Sequence, residues 1–468
     1  MKISFHGAAR TVTGSKHLIS FTNSKKILLD CGMFQGMGAE TLTYNQTFGF
    51  DPKEIDYVIL SHAHIDHSGL LPKLVKEGFS GPIFCTEATF SLAKILLLDS
   101  AHIQEADVQY ANKIKNLKGK PSVKPLYTEQ DAYNVFPLFH TIKYNEWFSI
   151  DDSIELLFTD AGHIIGSACV HLVLKENNQK TRITFSGDLG RYSRTLLKSP
   201  EPFPQADYII LESTYGNQLH PPAETATESL FEEIERTCIQ KGGKLIIPAF
   251  SLGRTQELLY ALNQLQLERR LPPVSYYVDS PMSVAITQTF KAYPHLFNSR
   301  VQDVLKKDDD PFDFPRLTMI KEVEVSKALN FSKDPCVIIS ASGMAEAGRV
   351  KHHIANNIED AKNTILLVGY CEPNSLGGRL KLMPEEVGIF GQPFKVRADI
   401  KEIKNLSAHG DYQDMSNWLS CQNPKEVKQV FLVHGEYDVQ QEFANKLIKK
   451  GFTDVQIPSI HQEIGLGH

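Results

Sequence analysis

No stretch of this chain is apolar for long enough to span a bilayer. The longest such run, around Ile95–Leu98, is far too short. The opening MKISFHGAARTVTGSKHLIS lacks the apolar core of a secretory signal. No two of the seven cysteines (Cys31, Cys85, Cys169, Cys238, Cys336, Cys371 and Cys421) are spaced as CxxC. An odd, dispersed set speaks for reduced thiols rather than a disulfide frame, and so for a cytoplasmic protein without membrane contact. There is no fixed-period repeat and no low-complexity tract. A strong excess of one charge is also missing: 49 basic residues face 55 acidic ones, a net −6. Taken alone, that balance excludes a protein that coats nucleic acid by bulk positive charge. With 42% hydrophobic and 22% charged residues, the 468-residue chain reads as an ordinary globular protein of two or three domains.

What is present falls into two patterns. Up to residue 215, short runs rich in β-branched residues dominate: KILLD, YVILSH, IELLFTDAGH, ACVHLVL, RITFSGD and YIILEST. A helical stretch at 91–117, ended by GKPSVKP, covers this sheet-rich region. From 216 to 398, strands and helices alternate as in an α/β unit on a mainly parallel sheet. TATESLFEEIERTCIQKG precedes KLIIPAF, GRTQELLYALNQLQ precedes VSYYVD, and AEAGRVKHHIANNIE lies between CVIISASG and TILLVGY. KKDDDPFDFP, at 306–315, reads as a charged surface loop. Strand signals return over 399–468, with QVFLVHGE and a helix-like EFANKLIKKG. The expected order is thus a first domain at 1–215, an insertion at 216–398, and completion of the first domain by 399–468.

The densest chemistry is S-H-A-H-I-D-H, directly after the strand run YVIL. It sets His62, His64, Asp66 and His67 within six residues. Imidazole and carboxylate suit zinc and other first-row metals. A polar loop with chance histidines is the plainer reading, which four candidate ligands at this spacing disfavour. One loop cannot complete two metal shells, and further donors follow apolar runs beside glycines: His163, Asp188 and His434. Each alone is more often a turn or cap residue than a ligand. Together they make seven ligands: His62, His64 and His163 for one metal, Asp66, His67 and His434 for a second, with Asp188 bridging.

HAHIDH, Asp30 in LLDCG, His163 in DAGHIIGS and Asp188 in SGDLGR resemble the metallo-β-lactamase superfamily. The 246 residues from Asp188 to His434 resemble its β-CASP subgroup, in which an α/β domain precedes the last ligand. Glu212 in LESTYG, His409 in LSAHGDY and His434 in LVHGE match further positions of that subgroup. The resemblance covers essentially the whole chain. It implies a four-layer αββα sandwich carrying an inserted α/β β-CASP domain. It also implies two Zn²⁺ per chain (Mn²⁺ being the alternative) and hydrolysis of single-stranded RNA by a metal-activated hydroxide. In that reading Asp66, His409 and Glu212 are catalytic, His409 being the general acid that Glu212 holds and charges. The residues alone leave His409 equally a turn residue and Glu212 a strand-end acid. Asp30 is expected to steady a metal-bound histidine or simply to form a turn.

Three glycine turns with arginine, PAFSLGRT, SASGMAEAGR and NSLGGR, suggest phosphate contacts by Ser251, Gly253, Arg254, Ser342, Gly343, Arg349, Gly377, Gly378 and Arg379. The family implies a single strand threading between the two domains. A small-molecule thioester or lactam hydrolase would need neither the insertion nor Glu212 and His409. An inactive nucleic-acid-binding scaffold would not keep seven ligands. An oxygen-reducing di-iron relative would carry Glu where His64 stands. By resemblance, His434 favours RNA over DNA, some DNA-directed members having Val there. The archaeal N-terminal RNA-binding extension and the added C-terminal domain of ribonuclease J are expected to be missing; a homodimer is compatible with all of this. The net charge also gains detail. Residues 201–240 carry eight acids against one base, so the rest of the chain sums to +1. Residues 241–300 carry seven bases against three acids.

Overall fold

The computed structural model describes residues 1–117, 122–192, 195–221 and 225–467. Each of the six early β-type runs is a strand, because its β-branched residues are buried against neighbours on the pleated surface. They belong to two seven-stranded sheets. The first runs, in spatial order, Gln462–Gly465, Lys2–Phe5, His17–Ser20, Lys26–Leu29, Tyr57–Ile59, Ile83–Cys85 and Phe139–Thr141. The second runs Val455–Gln456, Gln429–Val433, Tyr208–Glu212, Gln179–Phe185, Ala168–Glu176, Ile154–Asp160 and Phe148–Asp151.

Strand Tyr208–Glu212 shows why these runs are apolar without interruption. Tyr208 and Ile210 enter a core shared with Phe5, Ile27 and Ile59 of the first sheet. Ile209 and Leu211 enter another core with Trp418, Phe443 and Leu447, from helices Tyr412–Trp418 and Tyr437–Lys449. A strand buried on both faces needs no polar alternation. Each fully buried aliphatic side chain there stabilises the fold by about 1.5–3 kcal/mol. Helix Tyr437–Lys449 buries Gln440, Phe443, Ala444 and Leu447, the i, i+3, i+4, i+7 spacing of one helical face. Helix Glu87–Leu117 begins before the expected 91, and Gly119–Pro121, its expected terminators, lie outside the described residues.

By internal contacts the chain forms two compact units. One comprises Met1–Tyr192, Ser199–Leu219 and His409–His468; the other comprises the stretch up to Lys198 with His220–Ala408. The second unit is built on one six-stranded sheet, ordered Leu317–Ile320, Ser275–Asp279, Cys336–Ser340, Lys244–Pro248, Thr364–Leu367 and Asp399–Glu402. Every pairing in it is parallel. Its far boundary falls at 408 rather than 398, since Asp399–Glu402 pairs with Thr364–Leu367 as the edge strand. The 306–315 loop is only partly a surface segment: Phe312 and Phe314 turn inward and are buried. Among the described residues no helix is long and apolar enough to cross a membrane.

Candidate metal centre

The SHAHIDH segment leaves strand Tyr57–Ile59 and turns into the short helix Ile65–Ser68. Backbone hydrogen bonds stitch it to the loop after Lys26–Leu29 and to the segment before strand His17–Ser20. Cys31 N donates to His67 O at 2.8 Å, Met33 N to Ile65 O at 2.9 Å, and Ser15 N to Asp66 O at 2.8 Å. Gly32 makes this approach sterically possible, since a Cβ there would stand 1.6 Å from Asp66 O. The other donors follow strand ends of the second sheet. His163 follows Ile154–Asp160, Asp188 follows Gln179–Phe185, Glu212 closes its own strand, and His434 follows Gln429–Val433. The last three strands are parallel neighbours, Phe185 pairing with Ile210 and Glu212 with Val433. Asp188, Glu212 and His434 therefore emerge at one edge of the sheet although the last stands 246 positions after the first.

All seven expected ligands converge. His62 Nε2 and His163 Nε2 lie 3.1 and 3.2 Å from His64 Nδ1. His434 Nε2 lies 3.4 Å from both His67 Nε2 and Asp66 Oδ2. Asp188 stands between the two groups. Its Oδ2 is 3.5 Å from His62 and 3.6 Å from His163, and its Oδ1 is 3.3 Å from His67 and 3.6 Å from His434. Ligand atoms of His62, His64, His163 and Asp188 form one cluster within 4.8 Å, and those of Asp66, His67 and His434 form another.

The donor set suits cations. Five imidazoles and two carboxylates present ring nitrogens and oxygens to one another, and Asp188 Oδ1 is buried without a hydrogen-bond partner. Unpaired buried acceptors of this kind are costly unless a positive charge meets them. Burial, followed by the neighbouring His67, holds His62 well below the usual imidazole range, and burial brings His64 down to about 4. Neutral imidazole is the form that ligates metal. At His67 burial also opposes charge, but Asp188, Asp66 and Asp30 outweigh it and raise its pKa well above normal. Burial likewise opposes ionisation of Asp188, yet His434, His67, His409 and His62 keep it well below the carboxylate range.

Asp30 lies behind this cluster, fully buried, in the left-handed region at φ 58°. Its carboxylate accepts from Ser61 N and Ser61 Oγ, both at 2.8 Å, and meets His67 Nδ1 at 2.7 Å. With Nδ1 held by Asp30, His67 is left to present Nε2 to the other donors. Thr214, which sequence reasoning passed over, does similar work with its Oγ1 3.0 Å from His434 Nδ1. Its only signal was a hydroxyl two residues past Glu212. Asp30→Ala is expected to weaken metal affinity about 10- to 100-fold, measured by competition against a chromophoric chelator.

His409 and Glu212 meet beside the cluster. His409 Nδ1 is 3.3 Å from Glu212 Oε1 and 3.9 Å from Asp188 Oδ2. Glu212 is fully buried and held by Leu189 N at 2.6 Å. The His409 side chain is 22% exposed, so this ring opens to solvent. Its segment is pinned by Gly410 N donating to Leu189 O at 2.8 Å, and by a capping box between Asp411 and Asp414. Burial lowers the His409 pKa, but Glu212 and Asp188 prevail and raise it to about 9.

The expected phosphate contacts look different. Arg254 is nearly buried with its guanidinium on Glu257. Arg349 Nη1 donates to the fully buried Asp279 at 2.6 Å and Nη2 to Lys321 O at 2.6 Å. Gly377 and Gly378 lie inside helix Leu376–Lys381 rather than in a turn before it, since Ser375 Oγ caps it by accepting from Gly378 N. Arg379 Nη1 donates to Gly388 O at 3.3 Å. Ser342 and Gly343 do lie in a loop after strand Cys336–Ser340, Gly253 N-caps helix Arg254–Leu267, and Ser251 is buried. Arg254 and Arg349 thus meet carboxylates within the chain, which spacing could not reveal.

Three family models match the chain. The metallo-beta-lactamase superfamily covers residues 16–235, the Beta-Casp domain 255–380, and the Zn-dependent metallo-hydrolase RNA specificity domain 393–458. Ribonuclease TTHA0252 of Thermus thermophilus is 35% identical, over 93% of each chain. An RNase J-like protein of Methanocaldococcus jannaschii is 31% identical, over 96% of this chain and 95% of its own. Cleavage and polyadenylation specificity factor 73 of Drosophila melanogaster is 30% identical, over 92% of this chain and 59% of its own.

Proposed function

The chain belongs to the metallo-β-lactamase superfamily with the Beta-Casp domain, and from that premise we propose that it is a metal-dependent ribonuclease that hydrolyses single-stranded RNA with two zinc ions. What carries this reading is the pairing of a seven-donor cluster with the His409–Glu212 dyad at its rim. His62, His64 and His163 would hold one cation, Asp66, His67 and His434 the other, with Asp188 shared. Bound there, divalent cations supply Lewis acidity, acidifying water and offsetting the charge that develops on a phosphodiester. Hydrolysis adds water to phosphorus and breaks a P–O bond, and the departing ribose oxygen needs a proton. His409 Nε2 supplies it, while Glu212 holds Nδ1 and stabilises the charged ring. Reduced thiols and an RNA substrate agree with a cytoplasmic setting.

The test uses labelled single-stranded RNA with a 5′-phosphate or a 5′-hydroxyl. The metal-loaded protein is expected to degrade RNA, and a chelator to stop it, with Zn²⁺ or Mn²⁺ restoring activity. Product ladders against mononucleotides separate internal from end-wise cleavage. Intact RNA alongside rapid thioester hydrolysis by the same sample would overturn the reading.

A further inference from the structure

In an open parallel sheet, ligands bind beyond the carboxyl ends of the strands. Three adjacent strands of the second unit, Cys336–Ser340, Lys244–Pro248 and Thr364–Leu367, run parallel and end at one edge. Just past these ends lie Gly343, Phe250 and Gly369 with Tyr370. Phe250 is 38% exposed although Ala249, Ser251 and Leu252 beside it are buried. Its turn is fixed: Ala249 N donates to Ser340 O at 3.0 Å, while Phe250 O accepts from Thr255 N at 3.2 Å and Thr255 Oγ1 at 2.9 Å.

Two glycines seat the ring. A Cβ on Gly343 would stand 2.7–2.9 Å from its Cδ2, Cε2 and Cγ, and one on Gly369 would stand 3.5 Å from Cε2. The ring therefore rests on bare backbone on one side and keeps surface for solvent elsewhere. Tyr370, the residue after Gly369, is 57% exposed. A protein partner would want a contiguous apolar patch, but the chain neighbours of Phe250 are buried and the loops around it are glycine- and serine-rich. A rigidly seated ring suits a flat π-surface instead.

We propose that Phe250 is a stacking platform for a nucleobase of single-stranded RNA, with Tyr370 as a second aromatic contact. This rests on the ribonuclease reading and assigns recognition of the base to the second unit. Stacking of this kind tolerates any sequence, because every base has a π-face.

The test compares the metal-loaded parent protein with Phe250→Leu and Phe250→Trp on a short single-stranded oligoribonucleotide and on the same strand with abasic positions. Absence of cleavage by the parent would remove the ribonuclease reading itself. With cleavage present, Phe250→Leu is expected to raise KM about 5- to 150-fold with kcat nearly unchanged, and Phe250→Trp to keep the parent KM. On abasic RNA, parent and Phe250→Leu should share one KM. Equal KM values for parent and Phe250→Leu on intact RNA would overturn the stacking role. So would the same Leu penalty on abasic RNA, which would mark Phe250 as structural.

Discussion

Asp188→Ala protein is expected to carry little or no bound metal and to cleave RNA on the order of 10²–10⁴-fold more slowly than the parent. Asp188 faces both donor groups, with one oxygen toward His62 and His163 and the other toward His67 and His434. Removing it would leave cations held there without the negative charge that faces both groups. Breaking a buried charge pair costs about 3–5 kcal/mol, which transition-state arithmetic converts to that range. Metal content by mass spectrometry checks the first half and single-turnover cleavage the second. Asp188→Asn separates charge from shape: it keeps an oxygen acceptor and loses the negative charge, so it should hold less metal than the parent and more than the alanine variant. Full metal occupancy in Asp188→Ala would remove the bridging role.

His409→Ala should behave in the opposite way, retaining the metal content of the parent and losing turnover. A positioned general acid contributes about 10²–10⁴-fold, so kcat on RNA should fall by that order with KM little changed. The ring stands 3.3 Å from Glu212 and 3.9 Å from the nearest oxygen of Asp188, so its removal leaves the seven donors in place. The decisive comparison is the leaving group. A methyl 4-nitrophenyl phosphodiester expels nitrophenolate, which needs no proton, so His409→Ala should lose far less activity on it than on RNA. Glu212→Gln should fall between, since its amide still meets Nδ1 but no longer charges the imidazole. Equal losses on both substrates would remove the acid role from His409.

Reading the chain without its fold went furthest where chemistry is packed into a few consecutive residues. His62, His64, Asp66 and His67 announce a metal loop because four donors rarely crowd together otherwise. The runs of β-branched residues announce buried strands because a strand covered on both faces has no polar alternation. Single donors such as His163 or Glu212 carried little signal alone, and the family resemblance raised them. The arginine turns hold contacts that spacing does not show. Arg254 and Arg349 follow glycines as phosphate-binding residues do, yet one meets Glu257 and the other a buried Asp279 brought from a different strand. Reading also passed over Thr214, whose role exists only because the strand ending at Glu212 lies beside the one ending at Val433.

The low net charge that first spoke against nucleic acid shows the same division. Counting residues located the acidity, mostly in 201–240, and named seven donors, but counting has no distances in it. Parallel pairing of Gln179–Phe185, Tyr208–Glu212 and Gln429–Val433 is what delivers Asp188, Glu212 and His434 to one edge. The amino-acid sequence by itself determined which ligand chemistry is available and which segments are buried, because both follow from local residue types. Only the tertiary structure decided which donors cluster together, that His409 opens to solvent and which acceptors the arginines meet. Those depend on contacts between residues hundreds of positions apart.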